Sequence, residues 1–197
     1  MSIIVEHEKR RIEILENALA VFMDDGFEGA TFQRIADRCG ITRTTLYIYF
    51  KNKKEIFNYS IKQLLVKAEK SIQEIRAEKS RNSVEKITMV LLDVLKLLEH
   101  NRQLLSVILD YLLHISKSDG NPEMRIRRRT LRLRHILSSM MIEGIKAGEL
   151  KKVNIKIVDD YLYSIIEAAI FHLVVLKRKN LSELKAAAVF AVKQFAM

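Results

Sequence analysis

The sequence predicts an all-α protein of about nine helices, and three observations carry that prediction. One proline stands in 197 residues, so long stretches lack the residue that breaks helices. Nearly half of the chain, 49%, is hydrophobic, and those residues recur at three- and four-residue intervals. Capping residues and glycines punctuate the pattern where helices would start and stop.

Residues 1–7 read as a loose arm. A first helix from Glu8 to Asp24 carries Ile12, Leu15, Leu19 and Phe22 on one face and stops at Asp24-Asp25-Gly26. Thr31 caps a short second helix whose buried face is Phe32, Ile35 and Ala36. Cys39-Gly40 ends it, because glycine accepts the left-handed conformation of a sharp turn. Thr42 caps a third helix, with Leu46 as its core anchor and Arg43, Thr44 and Tyr47 facing outward. A short capped helix that presents Arg, Thr and Tyr is one that a DNA major groove admits. Asn52 and Glu55 have the spacing of a capping box for a long fourth helix reaching Ala77.

The polar stretch 78–83 is a loop, and Asn82 or Ser83 caps a fifth helix with the stripe Val84, Ile87, Leu91, Val94 and Leu98. The sixth helix runs from Arg102 to Ser116, and a turn spans residues 117–121. Pro122 after Asn121 is a strong start for a seventh helix, which ends near Ala147-Gly148. An eighth helix covers Lys156 to Lys177 and a ninth Ser182 to Phe195. No internal repeat or low-complexity segment is present in the sequence.

Residues Phe22, Gly26-Phe27, Thr31, Ile35-Ala36, Gly40-Ile41, Thr45-Leu46-Tyr47, Tyr49-Phe50, Lys53 and Ile56-Phe57 form a pattern, and it resembles the DNA-binding head of the tetracycline-repressor (TetR) family. The resemblance covers residues 8–60, with the helix-turn-helix at 31–50; beyond it the chain is similar only in length and helical pattern. It implies an N-terminal three-helix DNA-binding domain and, over 61–197, a C-terminal helical domain for effector binding and dimerisation. By the resemblance, Arg43, Thr44 and Tyr47 meet base edges or nearby phosphates, Gln33 reaches a base, and Thr31, Thr42, Tyr49 and Lys53 hold phosphates. The residue chemistry agrees. Arginine pairs with guanine, glutamine with adenine, a threonine methyl meets a thymine methyl, and hydroxyls and lysine suit phosphates. Thr44 departs from the small residue usual in the family, so no operator sequence carries over.

Net charge is +10, yet residues 1–59 balance nine basic against nine acidic side chains. Within that head the charges separate: residues 31–54 hold six basic side chains against Asp37, and residues 1–30 hold three basic against seven acidic. A positive surface is thereby expected on the DNA side. A single cysteine, Cys39, excludes a disulfide framework and a cysteine-rich zinc site within the chain, and it reads as a small core residue closing the second helix. The start of the chain has no signal-peptide pattern, and a cytoplasmic location is expected. The apolar run Tyr161 to Leu176 contains Glu167 and falls short of the roughly 18 residues of a membrane span. No catalytic triad, carboxylate pair, phosphate loop or metal-ligand spacing among the five histidines occurs, so no enzyme, cofactor or metal is expected.

Two further sites are expected in the C-terminal domain. Arg125, Arg127, Arg128, Arg129, Arg132 and Arg134 cluster on the seventh helix, which by the resemblance lines an effector pocket. Arg127, Arg129 and Arg134 flank its buried face and suit an anionic effector; the alternative is a solvated basic face. Leu64, Met89, Leu105, Leu109, Ile136, Met140, Phe171 and His172 complete the candidate pocket and suit a hydrophobic effector. The eighth and ninth helices supply a candidate homodimer interface of Ile166, Ile170, Leu173, Leu184, Ala188 and Ala191. One helix-turn-helix reads few base pairs, and a twofold dimer reads a palindrome. The expected function is a ligand-responsive repressor released from its operator by a small molecule. The rival readings are a ligand-independent architectural DNA binder and a protein-binding co-regulator on the same fold.

Overall fold

The computed structural model describes the backbone of residues 2–115 and 122–197 and the side chains of residues 5–63, 65–66, 68–112 and 132–197. The expected turn at 117–121 and its Asn121 cap lie outside the described residues. Nine helices are described: α1 Ser2–Gly29, α2 Phe32–Arg38, α3 Arg43–Tyr49, α4 Lys53–Ala77, α5 Ser83–His100, α6 Arg102–Ile115, α7 Pro122–Lys146, α8 Ile155–Val174 and α9 Ser182–Lys193. Among the described residues no strand forms; one isolated antiparallel bridge pairs Leu150 with Ala196. No described helix is long and apolar enough to cross a membrane.

The expected arm is helical from Ser2 onward. Nothing between Ser2 and Asp25 is glycine or proline, so no residue there stops the helix. Gly26, at φ 71° and ψ 174°, kinks α1 near the expected stop, and the chain resumes helix to Gly29. The inward face of α1 is Ile14, Leu15, Ala18, Val21 and Phe22, and Ile12 lies off it, exposed. The caps at Thr31 and Thr42 form as expected, with Oγ atoms accepting from the amides of Arg34 at 3.2 Å and Thr45 at 3.1 Å. Gly40 takes φ 63° in the turn between α2 and α3. At the start of α4, Asn52 accepts from the Glu55 amide at 2.9 Å. The Glu55 carboxylate reaches the Lys51 amide instead of the Asn52 amide, at 2.6 Å, so the box closes one residue early. The box at Asn82 and Glu85 is complete.

The chain divides into two compact units, Met1–Lys67 with Ser106–Tyr111, and Ala68–Leu105 with Leu112–Met197. The first has an aromatic centre. Phe22 meets Phe57 edge-on with centroids 4.9 Å apart, and Tyr111 lies 4.2 Å from Phe27 and 4.9 Å from Phe57. Ile35, Leu46 and Ile56 are wholly buried in the same unit. A buried serine, Ser60, donates to the Leu15 carbonyl at 3.0 Å, so its hydroxyl is satisfied inside the core.

The second unit has an aliphatic centre made by α5, α7, α8 and α9: Ile87, Leu91, Leu95, Leu137, Met141, Leu162, Ala169 and Val192 are among its buried members. The buried side of α5 is Ile87, Val90, Leu91 and Leu95; Val84, Val94 and Leu98, expected on the stripe, are partly buried at its edges. Gly144 is required by packing, because a Cβ there would lie 2.7 Å from that of Ser83 and 2.6 Å from Leu150.

Candidate nucleic-acid interface

Helix α3 is anchored by one fully buried side chain, Leu46, and turns its other side to solvent. Thr42, Arg43 and Thr44 are exposed, and Tyr47 is 50% exposed. Tyr47 is held on two sides. Its ring lies 4.6 Å from that of buried Phe32, and its hydroxyl is 3.2 Å from the Arg43 guanidinium. Arg43 therefore turns along the helix to Tyr47, one turn away, rather than to a carboxylate. A guanidinium and a phenol that are already paired and exposed are ready to exchange their mutual contact for base edges or phosphates.

The remaining expected DNA residues are placed as follows. Thr31 is exposed at the start of α2; its Oγ lone pair serves the cap and its hydroxyl proton is left to donate. Thr42 Oγ also lies 2.8 Å from Thr45 Oγ. Gln33 is exposed and donates to Asp37 at 2.7 Å, an i, i+4 pair. Tyr49 is half-buried and stacks on His7 at 4.5 Å. That contact draws on the helical start of α1, which the sequence reading had as an arm.

Lys53 has a second occupation. Its Nζ donates to the carbonyls of Phe27 at 2.9 Å and Glu28 at 3.1 Å, and sits 4.7 Å from the Phe27 ring centre. Lys53 thus satisfies orphan carbonyls at the C-terminal end of α1, and the Glu28 carboxylate at 3.6 Å also counters its charge. Two of the cations expected to give a positive face are also countered, Arg34 by Asp25 at 2.6 Å and Arg38 by Asp24 at 3.6 Å. One exposed side chain on α3 was missed from sequence. Ile48 is 70% exposed on the helix that carries Arg43 and Tyr47. Its apolar character hid it, because an isoleucine near Leu46 reads as core.

Cys39 is half-buried at the end of α2, and burial pushes its thiol above the usual range, against a reactive thiolate.

The expected effector residues that are described lie at different depths within their units. Met140 is buried in the aliphatic core, and Met89, Leu105 and Ile136 pack against it. Leu109 is half-buried in the first unit, and Phe171 is half-exposed. The side chains of Leu64, Arg127, Arg125, Arg128 and Arg129 lie outside the described residues. Arg134, expected to meet an anionic effector, is engaged inside the chain: its Nε donates to Asp159 at 2.6 Å and a terminal nitrogen meets Asp160. The hydrogen bond to Asp159 is the main cause of a guanidinium held above its usual range. Arg132 pairs with Glu69 at 2.6 Å. His172 borders a surface depression of about 230 Å³ with Arg178, Asn180 and Glu183. Among the described residues no cluster of three His, Cys, Asp or Glu side chains is arranged for a metal.

Of the expected dimer residues, Ile166, Leu173, Ala188 and Ala191 are buried in the chain's own core, Leu184 packs against it, and Ile170 is half-buried. The open side of α8 carries other side chains: Ile157, Tyr161, Phe171 and Val175 are about half-exposed or more, and Phe190 on α9 is 65% exposed. With Ser164 and Ala168 between them, the α8 residues recur at alternating four- and three-residue steps, which is the seam of a packed helix.

Residues 14–59 match the model of "Bacterial regulatory proteins, tetR family". The chain is 25% identical over 166 residues to the fatty acid metabolism regulator protein of Bacillus subtilis strain 168, covering 81% of this chain and 80% of that protein. A TetR transcription regulator from Haloarcula marismortui superposes with a TM-score of 0.82 at 21% identity, over 96% of this chain and all of that one. The transcriptional regulator FadR from Bacillus subtilis, solved in complex with stearoyl-CoA, superposes with a TM-score of 0.71 at 21% identity, over 92% of this chain and 96% of that one.

Proposed function

We propose that the chain, whose residues 14–59 match the tetR family of bacterial regulatory proteins, is a transcription regulator of that family and a ligand-responsive repressor that binds a palindromic operator as a homodimer. The observation that carries the reading is the face of α3. A short helix capped by Thr42 and anchored by Leu46 presents Arg43, Thr44 and Tyr47 to solvent. That is the chemistry of base-edge and phosphate contact, with Thr31, Gln33, Tyr49 and Lys53 around it. The proposed dimer face is the open seam Ile157, Tyr161, Phe171 and Val175 with Phe190, and it replaces the buried residues first considered. Large apolar side chains left exposed on two helices are covered at low cost by a second copy, which can bring the same residues to the same face.

The proposed effector is a molecule with a long apolar chain, acting on the second unit. The aliphatic core with Met140 and Met141 supports that class, because methionine adapts to irregular shapes. The structural likeness to a regulator solved with stearoyl-CoA supports a fatty acyl thioester in particular. Arg134 is not part of this proposal, since Asp159 and Asp160 hold it. The change reaches the DNA through α4, an unbroken helix from Lys53 to Ala77 that begins one residue after the Asn52 cap. An effector shifts the two states only by its difference in affinity between them. Moving from 1:99 to 99:1 takes a preference of about 10⁴.

Selection from random duplexes followed by footprinting tests the reading. The expected result is a palindrome with half-sites about one helical turn apart, bound by a species that sediments as a dimer. A selected site without twofold symmetry, bound by a monomer, contradicts it.

A further inference from the structure

Resting on that reading, we infer that Thr44 and Ile48 form a methyl-reading strip that selects thymine in the operator. The argument starts from the helix wheel of α3. At about 100° per residue, Thr44 and Ile48 each stand about 160° from Leu46, whereas Arg43 and Tyr47 stand about 60° and 100° from it. Leu46 is fully buried and marks the inner pole of the helix. Thr44 and Ile48 therefore occupy the crest, the line that enters a groove deepest, and Arg43 and Tyr47 flank it.

The side chains agree with the wheel. Ile48 is the most exposed side chain among the large hydrophobics of α3, at 70% against 50% for Tyr47. It follows Thr44 by four residues, so the two lie one above the other on the same line. The strip offers the methyls of Thr44 and Ile48 and, from Thr44, one hydroxyl. Arg43 and Tyr47 form the parallel polar line, with the guanidinium 3.2 Å from the phenol oxygen. The major groove presents one apolar group, the C5-methyl of thymine, and apolar side chains meet it. An isoleucine at the crest has no hydrogen bond to give to guanine, cytosine or adenine. Its contribution is discrimination in favour of A·T pairs in whichever orientation places the methyl beneath it.

The test uses full-length protein and duplexes recovered by selection, with deoxyuridine replacing each thymidine of a half-site in turn. Uracil keeps the pairing edge and removes the methyl alone. A buried methyl is worth about a fourfold change in affinity. Wild-type protein is expected to lose about fourfold or more at one or two positions per half-site. Ile48→Ala and Thr44→Ser are each expected to bind thymine and uracil duplexes alike at the position that side chain reads. Uracil tolerated at every position while selective binding persists overturns the inference and leaves the regulator reading intact. An equal uracil penalty in wild type and both variants also overturns it, because another group then reads the methyl. Selection that enriches no sequence removes the regulator reading itself and the inference with it.

Discussion

The two units of this chain bury different chemistry. The first unit closes around Phe22, Phe27, Phe57 and Tyr111, with ring centroids 4.2 to 5.8 Å apart. The second unit's buried cluster is leucine, isoleucine, valine, methionine and alanine. Aromatic pairs prefer particular edge and offset geometries. Aliphatic and methionine contacts set no such angle and repack more readily. The first unit is thus centred on rings of α1, α4 and α6 that fix one another's geometry. The second tolerates more than one arrangement, which is what the proposed effector response requires.

The largest effect that tests this contrast is Phe57→Ala. The account predicts a loss of about 3–5 kcal/mol in urea unfolding, together with loss of DNA binding. A loss below about 1 kcal/mol, close to that of an ordinary surface change, would break the claim that the ring cluster organises the unit. Next is Tyr47→Ala. Specific binding should weaken about 10- to 100-fold, from about 1–3 kcal/mol of lost discrimination, while stability changes by no more than about 0.5 kcal/mol. A large stability loss would recast Tyr47 as a packing residue through its Phe32 contact. Smaller still is Leu91→Met in the aliphatic core, expected to cost less than about 1.5 kcal/mol and to leave operator affinity unchanged.

The smallest expected effect concerns Glu99. Its hydrogen bond from Lys185, then that from the Leu181 amide, holds its carboxyl below the usual carboxylate range. A depressed folded value means stability present above the unfolded value and lost as pH falls through the folded one. Glu99→Gln should therefore lower the unfolding midpoint at neutral pH, with the difference from wild type shrinking as the pH drops below the usual carboxylate range. A difference that grows in acid contradicts the assignment.

Local chemistry made much of the first unit legible. Thr31, Gly40 and Thr42 have roles that depend on their nearest neighbours in the chain, and the expected caps and turn formed. Long-range pairing was not legible. Lys53 was available to a phosphate until the carbonyls of Phe27 and Glu28, distant in sequence, were brought to it. Arg134 was available to an effector until Asp159 and Asp160 met it. Rotation about an apolar helix was hidden as well. On α8 both sides are apolar, so periodicity could not tell which of Ile166 and Phe171 turns inward; packing against α5, α7 and α9 decides it. Ile48 escaped for the converse reason, since an apolar residue one turn past an exposed threonine carries no polar mark.

The most direct test of the central claim is an affinity ratio. Full-length protein would be titrated against duplex DNA from the region upstream of its own coding sequence and against a scrambled duplex, at about 0.15 M salt, where non-specific binding is weak. The account predicts a preference of at least about a thousandfold. It predicts too that the preference collapses for Arg43→Ala and Tyr47→Ala proteins that unfold at the wild-type midpoint. Equal affinity for the two duplexes, or a preference that survives both substitutions, would contradict the assignment of α3 as the reader.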